Sequence, residues 1–229
     1  MKIVEKDSHH QEEKTEVFEE QQEIMRKIKE FGFAKYVETM QNLPDAFDVE
    51  KHKPGEDVHN CICCMDERTP FGLHSAGSGI LLSKEEFDIY FEKSGAKAIS
   101  SHTGCGAAKI FAEKMGLMGD PDTIAREWAQ QKATEKGVPH VHLEVEKPFH
   151  YARVCYYDGT GKFNYAGIKG LPAGFVVGRR FMSKEASLAE GGVAKSIIFG
   201  DHGLGEELLN EENPFLFVAV GETQEQMEE

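Results

Sequence analysis

The chain has 229 residues, 40% hydrophobic and 29% charged, the make-up of a globular protein with a core of its own and not of a disordered segment. Lys and Arg number 26 against 40 Asp and Glu, a formal charge of −14, and residues 206–229 hold eight Glu with neither Lys nor Arg. So acidic a chain has no electrostatic footprint for nucleic acid or anionic membranes, and neither is expected as a partner.

The first dozen residues are polar and are expected to fray; they carry too many charges and no apolar stretch for a signal peptide. No apolar run approaches the length of a membrane span. Over 16–43, Val17, Ile24, Met25, Ile28, Phe31, Tyr36, Val37 and Met40 recur at near-helical spacing, with a break at Gly32. This predicts a helical arm within residues 1–50, either a plain amphipathic element with a solvated acidic face or an arm packed on a partner subunit.

After a polar stretch at 51–57, positions 58–64 read as a short buried strand, and 69–79, with Pro70, Gly72, Gly77 and Gly79, as turns. Ser83-Lys84-Glu85-Glu86 is a capping box for a helix to about 93, closed by Gly95. A strand over 96–101 and a helix over 106–115 follow, then a helix from Asp120-Pro121 to about 136. Strands are expected over 141–145 and 152–157, the second ending in the turn Asp158-Gly159-Thr160-Gly161. A helix over 184–190, a strand over 195–199 and a strand over 215–220 complete the body, with an acidic tail at 222–229. The alternation predicts an α/β fold, a parallel-centred sheet flanked by helices, in one domain over 51–221. A faint echo links Ser83-Lys84 and Ala96-Lys97-Ala98-Ile99 to Ser183-Lys184 and Ala194-Lys195-Ser196-Ile197, a likeness that βα units share without duplication.

The chemistry concentrates in Cys64-Met65-Asp66-Glu67-Arg68 and His102-Thr103-Gly104-Cys105-Gly106. On an extended chain Cys64, Asp66 and Arg68 share one side, while Cys61 and Cys63 face the other. His102 and Cys105 lie just past the next strand, so parallel strands would open both motifs into one crevice. Two thiolates and an imidazole are good zinc ligands that leave a fourth position for water, and Cys105 at a helix mouth favours the thiolate. A fourth ligand from Cys61, Cys63 or Asp66 would close the site instead. The five cysteines, with Cys155 the last, are an odd number crowded at one place, which fits metal binding in a reducing, cytoplasmic setting better than a disulfide framework. A redox role for Cys61-Ile62-Cys63-Cys64 is a remoter possibility. His140, His142 and His150 suggest a second metal site or plain surface and core histidines. Asp201-His202-Gly203 resembles a decayed copy of the His102 turn.

C-x-D-x-R followed by H-x-x-C-G resembles the β-class carbonic anhydrase superfamily over roughly residues 58–163. The resemblance implies zinc on Cys64, His102 and Cys105, with cadmium or another divalent metal as an alternative. It also implies an Asp66–Arg68 pair that either orients the water or exchanges with it. The implied activity is reversible hydration of CO2 to bicarbonate by zinc-activated hydroxide, in a homodimer or higher homo-oligomer. Gly77, Ser78 and Gly79 would then form a backbone wall for CO2, or only a turn, and His59 or His74 would be candidate proton shuttles. The gap of 38 residues from Cys64 to His102 is short for the main β-class pattern, and Phe71-Gly72-Leu73 is closer to the cadmium-accepting ζ-class. Hydrolysis of CS2 or COS on the same site, or a catalytically silent zinc- or bicarbonate-binding protein, are the other readings.

Overall fold

A computed structural model describes residues 2–48, 60–69, 72–166, 168–224 and 227. His59, Pro70, Phe71 and the polar stretch at 51–57 fall outside the described residues. The backbone is helical from Lys2: α1 (Lys2–Phe31) takes in residues 2–12, expected to fray, and Gly32, at φ 80°, separates it from α2 (Phe33–Glu38) as the spacing predicted. Then come β1 (Cys61–Cys63), β2 (Leu73–His74), α3 (Lys84–Ser94), β3 (Ala98–His102), α4 (Gly106–Met115), α5 (Pro121–Lys136), β4 (His140–Leu143), β5 (Val154–Asp158) and β6 (Gly174–Val177). The chain closes with α6 (Lys184–Phe199), α7 (Gly205–Leu208) and β7 (Leu216–Val220).

The helix starts follow local chemistry. Ser83, Asp120 and Ser183 each accept the backbone N–H three residues on, from Glu86, Thr123 and Ala186, contributing about 1 kcal/mol apiece. Gly95, Gly116 and Gly137 end α3, α4 and α5 in the left-handed conformation. One strand expectation fails. The strand read at 195–199 is the second half of α6, whose buried residues Ser187, Glu190, Gly191, Ala194, Ile197 and Ile198 recur at helical spacing. Gly191 does not break this helix; it makes room for Tyr157, whose hydroxyl would collide with any Cβ there. The likeness of 183–197 to 83–99 is therefore confined to a capped helix start. Strands β2, only two residues long, and β6 are not anticipated from the sequence.

Every strand pair is parallel. One sheet runs β2-β1-β3-β4 and the other β6-β5-β7. Backbone bonds from Val176 N–H to the Met65 carbonyl (2.9 Å) and from Gly178 N–H to the His74 carbonyl (2.9 Å) join them at a seam. Ile62, Ile99, Cys155, Phe175 and Val177 face a main core shared with α3, α4, α5 and α6. Val154, Tyr156 and Val176 face a second core closed by Phe33, Val37 and Met40 of the arm. The arm thus packs on its own chain: the Gln21 amide donates to the Tyr151 carbonyl (3.2 Å) and accepts from Ala173 N–H (2.8 Å). Among the described residues no helix is long and apolar enough to cross a membrane.

One buried acid ties α6 to the seam. Glu190 Oε1 accepts from the Ser75 hydroxyl (2.5 Å) and Ala76 N–H (3.0 Å), while Oε2 has no partner, and burial raises the carboxyl to about 7. The folded chain therefore holds this proton more tightly than the unfolded chain. The stability that follows is present in full below the ordinary carboxylate value of 4.5 and is lost as pH rises towards 7. Glu190→Gln keeps the acceptor and cannot ionise. Urea denaturation at pH 5 and pH 8 should show the variant gaining about 2 kcal/mol on wild type across that interval.

Candidate metal centre

The site arises where two parallel strands end side by side. Cys61 pairs with Ala98 and Ile62 with Ile99, so the chain leaving β1 through Cys64 runs beside the chain leaving β3 through His102. The period-2 alternation holds in β1: Ile62 and Cys64 face the main core, whereas Cys61 and Cys63 pack with Ala98, Val141 and Leu143 on the far side. The Sγ atoms of Cys64 and Cys105 and a ring nitrogen of His102 lie within 4.8 Å of one another, all in buried residues. Cys105 stands at the N-cap of α4. All five cysteines are free and buried.

The ring of His102 is held in one orientation. Its Nδ1 donates to the Thr103 carbonyl at 2.8 Å, which leaves the Nε2 lone pair for the cluster. Nε2 is buried with no hydrogen-bond partner. Burial and the neighbouring Cys105 push the Cys64 thiol well up. Burial would lower His102, but Cys64 and Asp66 outweigh it and raise the imidazole to about 9. The cluster thus draws positive charge, and a divalent cation competes with protons for the same lone pairs. An orphaned imidazole nitrogen beside two sulfurs is a donor set that fits a soft or borderline divalent metal.

Asp66 and Arg68 meet as expected, though for a different reason. The chain after Cys64 does not stay extended: Thr69 N–H bonds back to the Asp66 carbonyl (2.9 Å), and Asp66 Oδ1 accepts Arg68 N–H (2.9 Å) in an Asx-type turn. The turn brings the guanidinium onto the carboxylate as a fork, Nε to Oδ1 at 2.8 Å and Nη2 to Oδ2 at 2.6 Å. Oδ2 also lies 3.5 Å from His102 Nε2. Burial works against the Asp66 charge, but His150, the Arg68 fork and His102 hold the carboxyl far below the usual carboxylate range. The rest of the guanidinium spans other segments, Nη1 to the Lys147 carbonyl (2.7 Å) and Nη2 to the Gly104 carbonyl (2.9 Å).

Sequence reasoning missed Glu67 as a site residue and left His150 among its unassigned histidines. The Glu67 carboxylate is buried, takes Tyr151 N–H at 2.5 Å and His150 Nδ1 at 3.1 Å, and so pins a third loop against the motif. His150 Nε2 sits 3.2 Å from Arg68 Nη2. Asp66, Glu67 and His150 have ligand atoms close enough for a metal, but the Arg68 guanidinium already lies among them. His140 and His142 are elsewhere, on either side of the Ser101 hydroxyl at 2.9 and 2.8 Å, so the three histidines do not converge. His202 meets the site only through its carbonyl, which accepts His150 N–H. His74 is buried behind Cys64, with Nδ1 at 3.0 Å from the Cys64 carbonyl and burial lowering its pKa.

Gly77, Ser78 and Gly79 form a tight turn, at φ 55°, 59° and 98°. Gly77 N–H donates to Cys64 Sγ at 3.2 Å, and the Ser78 hydroxyl is 3.3 Å from that of Ser100. A Cβ on Gly77 would come within 2.6 Å of Ile80 Cγ2 and 3.1 Å of the Ala107 methyl. No family model, curated protein or solved structure matches the chain.

Gly77→Ala should therefore displace the N–H that supports the Cys64 sulfur. Metal affinity, measured by competition with a chromogenic chelator, should fall about 10-fold or more, as for other losses of second-sphere support.

Proposed function

We propose that the chain is a zinc-dependent carbonic anhydrase acting as a homo-oligomer. The observation that carries this reading is the placement of an ionised, Arg-clamped carboxylate 3.5 Å from the unpartnered His102 Nε2 of a buried Cys-His-Cys cluster. A three-ligand set with an acceptor beside it is the arrangement of a catalytic rather than a closed structural zinc site.

Cys64, His102 and Cys105 would hold the metal. Zinc supplies Lewis acidity that brings the pKa of water from 15.7 to about 7. With a metal in place, Asp66, held charged across the neutral range, would accept a hydrogen bond from water at Oδ2 and orient it towards CO2. Arg68 keeps Asp66 ionised and fixes its plane; both carboxylate oxygens are already engaged by the fork, which favours an orienting role over ligation. The left-handed turn at Gly77, Ser78 and Gly79 supplies a backbone wall beside the sulfurs. Water and CO2 give bicarbonate and one proton, which passes to solvent.

Stopped-flow CO2 hydration over pH 6.5–9, on protein of known zinc content, tests this. Wild type should hydrate CO2 with about one zinc per chain, and Cys105→Ser should lose both metal and activity. Arg68→Lys should keep the zinc but lose about 10- to 100-fold in kcat, because a point charge cannot hold the carboxylate in two places. One zinc per chain without hydration at any pH in that range would overturn the reading in favour of a silent binding protein or a CS2 or COS hydrolase.

A further inference from the structure

Between the α1 arm and the sheet of β5 and β7 lies a cavity of about 640 Å³ that shares no lining residue with the metal centre. Met25, Ile28, Phe33, Leu216 and Val218 give it apolar walls, and Arg153 is part of its lining. Arg153 is wholly buried, and neither its Nε nor either Nη has a hydrogen-bond partner. The Phe18 ring lies over it, its centroid 4.3 Å from Cζ.

The backbone of this residue is held on both sides. Its N–H donates to the Ala173 carbonyl (2.8 Å) and its carbonyl accepts from Leu216 N–H (3.1 Å), which locks the backbone between the ends of β6 and β7. Burial lowers the guanidinium to about 10, so it stays charged at neutral pH. An aromatic face does not replace the hydration of five N–H donors, and a buried cation without an anion carries a heavy desolvation penalty. A position serving packing alone would be better filled by Met or Leu.

We propose that this cavity binds an amphiphilic monocarboxylate, its carboxylate on Arg153 and its apolar body between the arm and the sheet. The charge count sets the class. One buried guanidinium matches one carboxylate in fork geometry. A second negative charge is disfavoured, because Arg26 is paired with Glu23 and Glu30 and the acidic Glu212 lines the cavity beside Lys29, whose ammonium donates to the Glu212 carbonyl. The volume is that of a small-molecule site, and its aliphatic and aromatic lining suits a hydrocarbon body. Since α1 shields the guanidinium, a ligand enters when the arm lifts, and once bound it ties the arm to the sheet.

The full-length protein is titrated with octanoate by calorimetry and thermal shift, with 1-octanol and acetate as probes lacking the charge or the apolar body. Octanoate should bind one site per chain at least 10-fold more tightly than either and raise Tm. Arg153→Met removes the unpaired cation, so it should fold at least as stably as wild type, yet lose octanoate affinity at least 10-fold; Val218→Trp, which fills the cavity, should block binding. Failure of octanoate to bind, or equal affinity in Arg153→Met, would overturn the proposal. So would a dimer, seen by light scattering, that weakens in Arg153→Met, because the cavity would then be a subunit contact. Each readout is independent of CO2 hydration, so it stands or falls apart from the metal centre.

Discussion

The buried pairing of Asp66 with Arg68 is the interaction on which the arrangement of the centre depends. A buried ion pair adds little net stability, since the attraction is largely spent on desolvation. Its value here is positional. The Asx turn pre-forms the pair within one short segment, so little chain entropy is lost in making the fork. The remaining guanidinium donors then reach the Gly104 and Lys147 carbonyls, so one side chain sets the loop after β1 against the loop after β3 and against the segment leading to β5. Removing either partner would leave the other charged, buried and uncompensated.

Support for the sulfurs comes from further away. Glu190 on α6 grips Ser75 and Ala76, the next residue Gly77 aims its N–H at Cys64, and the same turn rests on Ala107 at the start of α4. Glu67 does the equivalent for the third loop through His150 and Tyr151. In both cases a buried carboxylate takes one backbone N–H and one side-chain group near the Cys-His-Cys cluster. Arg153 differs in kind, its backbone held on both sides while its guanidinium meets the Phe18 ring and, among the described residues, no hydrogen-bond partner.

Much of the core of this arrangement was legible in the sequence because it is local. Strand alternation separated Cys61 and Cys63 from Cys64, the capping box at Ser83 and the stop at Gly95 bounded α3, and the spacing of the motifs put His102 and Cys105 beside Cys64. The same alternation put Asp66 and Arg68 together for the wrong reason, since the strand ends at Cys63 and a turn does the work. What could not be read depends on distant partners. Glu67 and His150 meet across 83 positions, and no local pattern marks either. Gly191 and Gly192 look like a helix stop until Tyr157 is seen to need the space above Gly191.

The seam between the sheets has a consequence in time. Translation delivers Cys64, His102 and Cys105 early and their supports late: the Lys147 carbonyl, His150, the Val176 N–H on Met65 and finally Glu190 beneath Ala76. A nascent chain that has passed residue 105 therefore carries a complete soft-donor set with none of these later supports to orient it. As proposed ligands, these donors would in that interval discriminate among ions by chemistry alone, before the finished pocket can impose its geometry. On the proposed reading, which thiophilic ion is captured then depends on supply during synthesis as well as on the folded site.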